Sequence, residues 1–127
     1  MRTALRDAEL EPSDIGHVHA HATSTPGGDL AEADAVAKAL GTHPVVTATK
    51  SMTGHMLGAS GAFGAMSALL ALHHGVVPAT RNLDAIDPRI HLDVVNGEHR
   101  EGGWDAALPN SFGFGGHNVS LILKRTP

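Results

Sequence analysis

An uncharged stretch at residues 51–80 limits what this chain can fold into, because it contains no Asp, Glu, Lys or Arg. Within it, the side chains of residues 56–72 are apolar or small on every side of a helix, as in a membrane span or a helix buried in a protein core. The segment is at the short limit for a span and is rich in Gly, Ala and Ser rather than Leu and Ile. We therefore expect a helix packed inside the protein.

The composition is that of one ordinary globular domain, which we place at residues 1–127. Hydrophobic residues make up 42% of the chain, and the net charge of −4, without a cluster of Lys or Arg, argues against nucleic acid as a partner. The absence of cysteine excludes disulfides and thiolate metal ligands and agrees with a reducing compartment. The start of the chain is charged and has no apolar signal-peptide core. We therefore expect a cytoplasmic protein that does not associate with membranes.

Helix and strand signals alternate along the chain. The patterns predict helices at 2–9, 30–40 and 56–74, and strands at 15–20, 45–49, 91–95, 106–111 and 119–124. Asp29 is the expected N-cap of the second helix, with Glu32 at its third position, and Gly41 and Gly75 are expected to end the second and third helices. This order predicts an α/β domain with a mixed sheet.

Three glycines recur at every third position of the uncharged helix, at Gly58, Gly61 and Gly64. Each costs the helix about 0.5–1 kcal/mol relative to Ala. We expect them to allow the close approach of another backbone. The chain has no GxxxxGK[ST] run, so that these glycines do not indicate a phosphate-binding loop.

The chain contains ten histidines, and His17, His19 and His21 alternate, so that on a strand they would share one face. Three imidazoles on one face could hold zinc. The alternative is a chance alternation in a histidine-rich chain, and no acidic cluster or cysteine adjoins it. We expect no metal and no cofactor.

His21 and His55 each stand where a predicted strand gives way to a helix, the usual place for ligand-facing residues in α/β sheets. Two histidines at two such junctions could converge on one substrate atom. Taken separately, each is more often a polar loop residue.

Three motifs carry a resemblance to a known family: HATSTPGGD at 21–29, KSMTGH at 50–55 and NSFGFGG at 110–116. They resemble the carboxy-terminal half of β-ketoacyl-acyl-carrier-protein synthases, the decarboxylating condensing enzymes of the thiolase fold. The resemblance extends over residues 14–124 and implies a thiolase-like α/β fold. One departure is His19, where many members of the family carry Asn.

The resemblance also implies a role for individual residues. His21 and His55 match the two active-site histidines, Lys50 the active-site lysine, Glu32 its acidic partner, and Phe114 the gating phenylalanine, whose N–H also serves an oxyanion hole. The other residues of the matching motifs are expected to support the site: Thr23, Thr25, Asp29, Gly113, Gly115 and Gly116.

The implied activity is an acyltransferase reaction, the decarboxylative Claisen condensation of an acyl thioester with malonyl-acyl-carrier protein in fatty acid elongation. The implied partners are acyl carrier protein, malonyl and acyl thioesters, and an amino-terminal half that bears the nucleophilic cysteine, the complete enzyme being a homodimer. Because this chain has no thiol, we expect it to be inactive alone. The alternatives are a polyketide ketosynthase, a non-catalytic fragment and a metal-binding histidine module.

Overall fold

The computed structural model describes residues 1–126 as a central mixed sheet with helices on both faces. The helices are α1 (Arg2–Asp7), α2 (Pro26–Leu40), α3 (Lys50–Thr53) and α4 (Ser60–His74). The strands are β1 (His17–His19), β2 (Val45–Thr47), β3 (Val76–Val77), β4 (Asp93–Val94), β5 (Arg100–Glu101), β6 (Ala106–Phe112), β7 (Asn118–Ser120) and β8 (Leu123–Lys124). The predicted α/β class with a mixed sheet is confirmed.

The main sheet joins six strands within residues 1–126 in the order β4-β2-β1-β6-β7, and β8 also pairs with β6. The pairs β1–β2, β1–β6 and β2–β4 are parallel, whereas β7 and β8 lie antiparallel to β6. Strands β3 and β5 form a separate antiparallel pair. Because β1, β2 and β6 are parallel neighbours, their carboxyl ends meet at one edge of the sheet.

Alternating side chains of β1 separate the two faces of the sheet. Val18 points into a core with the helices α1 and α2, which includes Leu5 and Val36. His17 and His19 point the other way, toward α4, and both are buried. On that side Ala68 and Leu72 of α4 pack against β6.

The uncharged helix is shorter than predicted and is buried on one face. Residues 57–59 form a 3-10 turn, and α4 then runs from Ser60 to His74. Gly75, in a left-handed conformation (φ 65°), ends it as expected. Within this chain its opposite face is exposed, and Met66, Leu69 and Leu70 are about half accessible. No helix in residues 1–126 is long and apolar enough to cross a membrane.

The start of α2 corrects the predicted N-cap. The helix begins at Pro26 with Thr25 as N-cap, since the fixed φ of proline suits the first helical position. Asp29 therefore lies in the first turn, where its Oδ1 accepts the Ser24 N–H at 3.1 Å. Glu32 is correspondingly displaced from a capping position and is available to the site. The predicted end at Gly41 is confirmed.

The carboxy-terminal strands also differ from prediction. The expected single strand at 119–124 is two short strands, β7 and β8, each pairing with a different part of β6. Short elements that carry little periodic signal were not predicted at all, namely α3, β3 and β5.

Two of the three helix glycines face side chains rather than another backbone. A Cβ on Gly64 would lie 3.0 Å from His19 Nδ1, and one on Gly61 would lie 3.3 Å from Ser111 Oγ. Gly58 has no such neighbour in the described chain. The expected approach of another backbone was therefore wrong, since an imidazole and a hydroxyl group occupy the space at Gly64 and Gly61.

Candidate active site

The three motifs converge at the carboxyl edge of the parallel strands. His21 follows β1, Lys50 follows β2, and Phe112 ends β6. Because β1 lies between β2 and β6, these three chain segments are neighbours in space. This is the edge of an α/β sheet at which ligands generally bind.

His21 and His55 lie together, as their positions at two strand ends predicted. Their ring centroids are 5.8 Å apart, and the ring planes are nearly perpendicular at 88°. Phe112 also packs against His21, with ring centroids 5.5 Å apart. Sequence reasoning did not single out Phe112, whose position at the end of a predicted strand was the signal available.

Hydrogen bonds at His55 define its tautomer. The Leu57 N–H lies 3.0 Å from Nδ1, and a backbone N–H can only donate. Ser60 Oγ accepts the Met56 N–H at 2.8 Å and lies 3.0 Å from the same Nδ1, to which its hydroxyl can donate. Nδ1 is therefore an acceptor, and the neutral ring carries its proton on Nε2.

Glu32 fixes the loop that carries His21. One carboxylate oxygen accepts the His21 N–H and the other the Ala22 N–H, both at 2.8 Å. Glu32 is 6% exposed, so that these bonds are made largely out of water. Charge-assisted bonds of this kind are stronger than neutral ones. They hold Ala22 in a strained conformation with a φ of 30°.

A second layer of polar groups supports Glu32. Asn110 Nδ2 donates to Glu32 Oε1 at 3.0 Å, and Ser120 Oγ donates to Asn110 Oδ1 at 2.7 Å. The network thus ties α2 to β6 and β7. The sequence marks Asn110 only as the first residue of the motif at 110–116, because nothing in a sequence shows which distant carboxylate an amide reaches.

The expected pairing of Glu32 with Lys50 is not a direct ion pair. No salt bridge within residues 1–126 joins them, since the Glu32 oxygens are occupied by two backbone amides and Asn110. Glu32 still acts on Lys50 through space: burial lowers the pKa of Lys50, and the Glu32 charge opposes that shift.

The electrostatics of the site favour a neutral His21. Burial lowers the pKa of His21, and the Lys50 charge lowers it further, against the opposing charge of Glu32. His21 Nδ1 is buried and makes no hydrogen bond within residues 1–126. A buried N–H without an acceptor is rarer in proteins than a buried acceptor without a donor, which favours the tautomer with the proton on Nε2.

The glycine-rich loop after β6 adopts the backbone that its composition predicts. Gly115 and Gly116 have φ values of 74° and 81°, a region that glycine enters at little steric cost. The Gly113 N–H closes the loop on the His117 carbonyl at 2.8 Å. Phe114 is fully exposed in this chain. The phenylalanine ring that packs against His21 is that of Phe112.

The remaining motif residues shape the turn after His21. The Thr23 and Thr25 hydroxyls lie 3.5 Å apart, and the Thr25 carbonyl accepts the Asp29 N–H at 2.9 Å. A Cβ at Gly28 would collide with the Thr25 hydroxyl, which explains the glycine there. These contacts give Thr23, Thr25 and Asp29 a structural part in the loop.

The three alternating histidines do not converge. His17 Nδ1 pairs with the Val45 carbonyl at 2.9 Å, His19 Nε2 with Thr49 Oγ1 at 2.7 Å, and His21 lies beyond the strand. Within residues 1–126 no group of three or more His, Cys, Asp or Glu residues is arranged to hold a metal ion.

A protein-family model described as "Beta-ketoacyl synthase, C-terminal domain" matches residues 1–84. The chain belongs to the β-ketoacyl synthase family. Among curated proteins, this synthase chain is 47% identical over 125 residues to 3-oxoacyl-[acyl-carrier-protein] synthase 2 of Synechocystis sp., covering 96% of the chain and 30% of the relative. It is 54% identical over 121 residues to the Mycobacterium leprae protein of that name, covering 94% and 29%. The synthase chain thus spans about 30% of the length of these relatives.

Solved structures agree with the thiolase-like fold of the synthase chain. A β-ketoacyl synthase from Burkholderia phymatum superposes with a TM-score of 0.95 at 40% identity, covering 100% of this chain and 31% of that one. The ishigamide ketosynthase/chain length factor gives 0.95 at 38%, covering 99% and 32%. A type II polyketide ketosynthase in complex with its acyl-carrier protein gives 0.94 at 30%, covering 98% and 31%.

The hydrogen bonds of Glu32 should stabilise the loop that carries His21. Glu32→Gln should destabilise the loop by about 1–3 kcal/mol, because one amide N–H would then face the glutamine NH2 group instead of an acceptor. Hydrogen-exchange mass spectrometry should show faster exchange in the peptide that contains residues 21 and 22. Asp34→Asn is the matched control, since Asp34 pairs with Lys38 on the surface and its loss should change little. Equal protection of that peptide in both variants would contradict the assigned role.

Proposed function

We propose that this chain supplies the two-histidine part of the active site of a β-ketoacyl-acyl-carrier-protein synthase in fatty acid elongation. The observation that carries the proposal is the pair of rings His21 and His55, 5.8 Å apart, at the edge of the sheet where the three motifs meet. The cysteine nucleophile would come from a second segment. Below, "the complete enzyme" means this chain together with that segment.

The chemistry to be catalysed creates a negative charge on a thioester oxygen. When the bond between the malonyl carboxylate and its α-carbon breaks, CO2 leaves and the electron pair passes into an enolate. The α-carbon then attacks the acyl thioester, a carbon–carbon bond forms, and the cysteine thiolate departs. A site that donates two hydrogen bonds to the enolate oxygen would lower the barrier of the first step, each donor contributing about 3–4 kcal/mol by analogy with other oxyanion sites.

The two histidines suit this task because each can donate from a neutral ring. In His55, Nδ1 accepts hydrogen bonds from the Leu57 N–H and the Ser60 hydroxyl, so that its own N–H is at Nε2. Burial and the Lys50 charge lower the pKa of His21 and so favour its neutral form. Lys50 thus acts on the site through its charge, while Glu32 acts through the backbone of the His21 loop.

A second oxyanion hole would serve the acyl thioester. We assign it the backbone N–H of Phe114, together with the N–H of the cysteine in the second segment. The positive φ values of Gly115 and Gly116 support this assignment, since they give the loop the tight backbone that is needed to bring an N–H group close to a substrate. The exposed Phe114 ring would gate the pocket when the second segment is present.

The partners follow from the reaction. We propose acyl carrier protein as the carrier of both thioesters; a related ketosynthase has been solved in complex with an acyl-carrier protein. We further propose that the complete enzyme is a homodimer that works in the cytoplasm. Neither a cofactor nor a metal ion has a part in the proposed chemistry.

The test is a reaction of the complete enzyme with an acyl-carrier protein and malonyl-carrier protein. The proposal predicts one CO2 for each β-ketoacyl product that is two carbons longer than the starting acyl group, measured by mass spectrometry of the carrier. Absence of both products would reject it.

Polyketide synthesis is the second candidate, because one structural neighbour is a type II polyketide ketosynthase that was solved bound to a hexaketide. The same assay separates the two functions. Repeated extension without reduction of the β-keto groups would favour a polyketide ketosynthase. A single extension would favour fatty acid elongation.

The 127-residue chain by itself should not accept an acyl group, because it contains no cysteine. Incubation with radiolabelled acyl-carrier protein, followed by denaturing electrophoresis, should leave it unlabelled, while the complete enzyme is labelled. Stoichiometric label on the chain that survives denaturation would show a different nucleophile.

A further inference from the structure

A buried histidine that the mechanism above does not use, His19, lies at the joint between the segments that carry His21, Lys50 and His55. It precedes His21 by two residues on β1 and is 2% exposed. Its Nε2 lies 2.7 Å from Thr49 Oγ1, across to the end of the neighbouring strand. One ring thus connects two of the three strand ends that form the site.

The hydrogen bond of His19 holds the side chain of Thr49, the residue immediately before α3. Thr49 is the N-cap of α3, and its carbonyl accepts the N–H groups of Met52 at 2.9 Å and Thr53 at 3.1 Å. Holding the Thr49 side chain therefore restrains the turn in which Lys50 is the first residue.

The Nδ1–Cε1 edge of the ring packs against α4 at Gly64. A Cβ there would come within 3.0 Å of His19 Nδ1 and 3.1 Å of its Cε1, closer than such atoms normally approach. Gly64 is not among the residues with positive φ, so that its backbone does not require glycine. The His19 imidazole, which occupies the space of a side chain, therefore explains why residue 64 is glycine. The helix begins at Ser60, which binds His55 Nδ1.

The ring contributes shape rather than charge to this joint. Nδ1 of His19 makes no hydrogen bond within residues 1–126. Burial, with smaller contributions from the charges of His17 and Lys50, lowers the pKa of His19 to about 4. At neutral pH the ring is therefore uncharged and adds no repulsion beside Lys50.

We propose that His19 is a positioning residue that sets the placement of His21, Lys50 and His55 relative to one another. The absence of a side chain at Gly64 leaves room for its ring. The inference rests on the proposed function. A displacement of about 1 Å in a reacting group can cost up to about 100-fold in rate, so that a ring packed between all three segments can control the chemistry without touching substrate.

The test uses the complete enzyme and a steric pair. Gly64→Ala should lower kcat for malonyl decarboxylation by about tenfold or more, because its methyl group displaces the ring. KM for malonyl-carrier protein and the rate of acyl loading should stay within about twofold, since neither depends on the placement of these groups. In a His19→Asn background, whose smaller side chain leaves room, Gly64→Ala should have little further effect.

Two further variants complete the design. Thr49→Val keeps the shape but removes the hydroxyl, and should also lower decarboxylation while sparing acyl loading. Gly103→Ala, at a position with open space and no positive φ, is the control for glycine replacement and should be neutral.

Either of two results would overturn the positioning role. One is an equal effect of Gly64→Ala whether residue 19 is His or Asn. The other is a parallel loss of decarboxylation and acyl loading in both the Gly64→Ala and Thr49→Val variants, as expected from a general loss of stability. A wild-type enzyme that does not decarboxylate malonyl-carrier protein would instead reject the proposed function itself.

Discussion

Malonyl decarboxylation by the complete enzyme should slow by about 100-fold or more when either His21 or His55 is replaced by Ala, because each substitution removes one donor to the developing enolate oxygen. Acyl loading should remain largely intact, since the thiol and the loading oxyanion hole are elsewhere. The two rates are measured separately, as CO2 release from malonyl-carrier protein and as transfer of radiolabel from acyl-carrier protein.

The histidine variants need a control for the loss of an imidazole as such. His91→Ala suits this purpose, because His91 is exposed and lies outside the site. It should leave both rates unchanged. A variant of His21 or His55 that lost acyl loading but kept decarboxylation would show that the roles are reversed.

Acyl transfer should fall at least about tenfold in Gly115→Val and in Gly116→Val, through loss of a positioned oxyanion donor. Both positions have positive φ, where a β-branched residue is strained. Within residues 1–126, no atom outside the adjacent residues lies within 4 Å of a Cβ at Gly116, so that backbone strain alone acts there. The melting temperature should change far less than the rate, because the loop lies outside the core.

Two control variants separate the backbone from the side chain in this loop. Phe114→Ala keeps the N–H donor and should mainly change the order or selectivity with which acyl and malonyl groups enter. Gly103→Val introduces the same side chain at an open position without positive φ and should not affect loading. Acyl loading at the wild-type rate in the Gly115 and Gly116 variants would show that the loop is only a packed turn.

Much of the fold was predictable because its strong signals are local. Periodicity and end signals predicted α2, α4 and the strands around them, and Gly41 and Gly75 marked the two helix ends correctly. The start of α2 was misplaced because two end signals competed. Pro26 at the first helical position prevailed over Asp29 as a cap.

The site was predictable only as far as its residues carry motif or strand-end signals. His21 and His55 were correctly expected to meet, since both follow strands of one sheet. The hydrogen bonds of Glu32 were not predicted, because a sequence does not show that its oxygens face two backbone amides. Contacts such as His19 with Gly64 depend on how β1 crosses α4, which no local pattern specifies.

The most direct test of the central claim, that this chain carries the decarboxylation half of the site, is CO2 release by the complete enzyme after its thiol has been alkylated. Malonyl-carrier protein labelled in its free carboxylate is the substrate. We expect that condensation stops, that labelled CO2 is still released, and that His21→Ala removes that release. Loss of CO2 release on alkylation alone, or release that persists in His21→Ala, would contradict it.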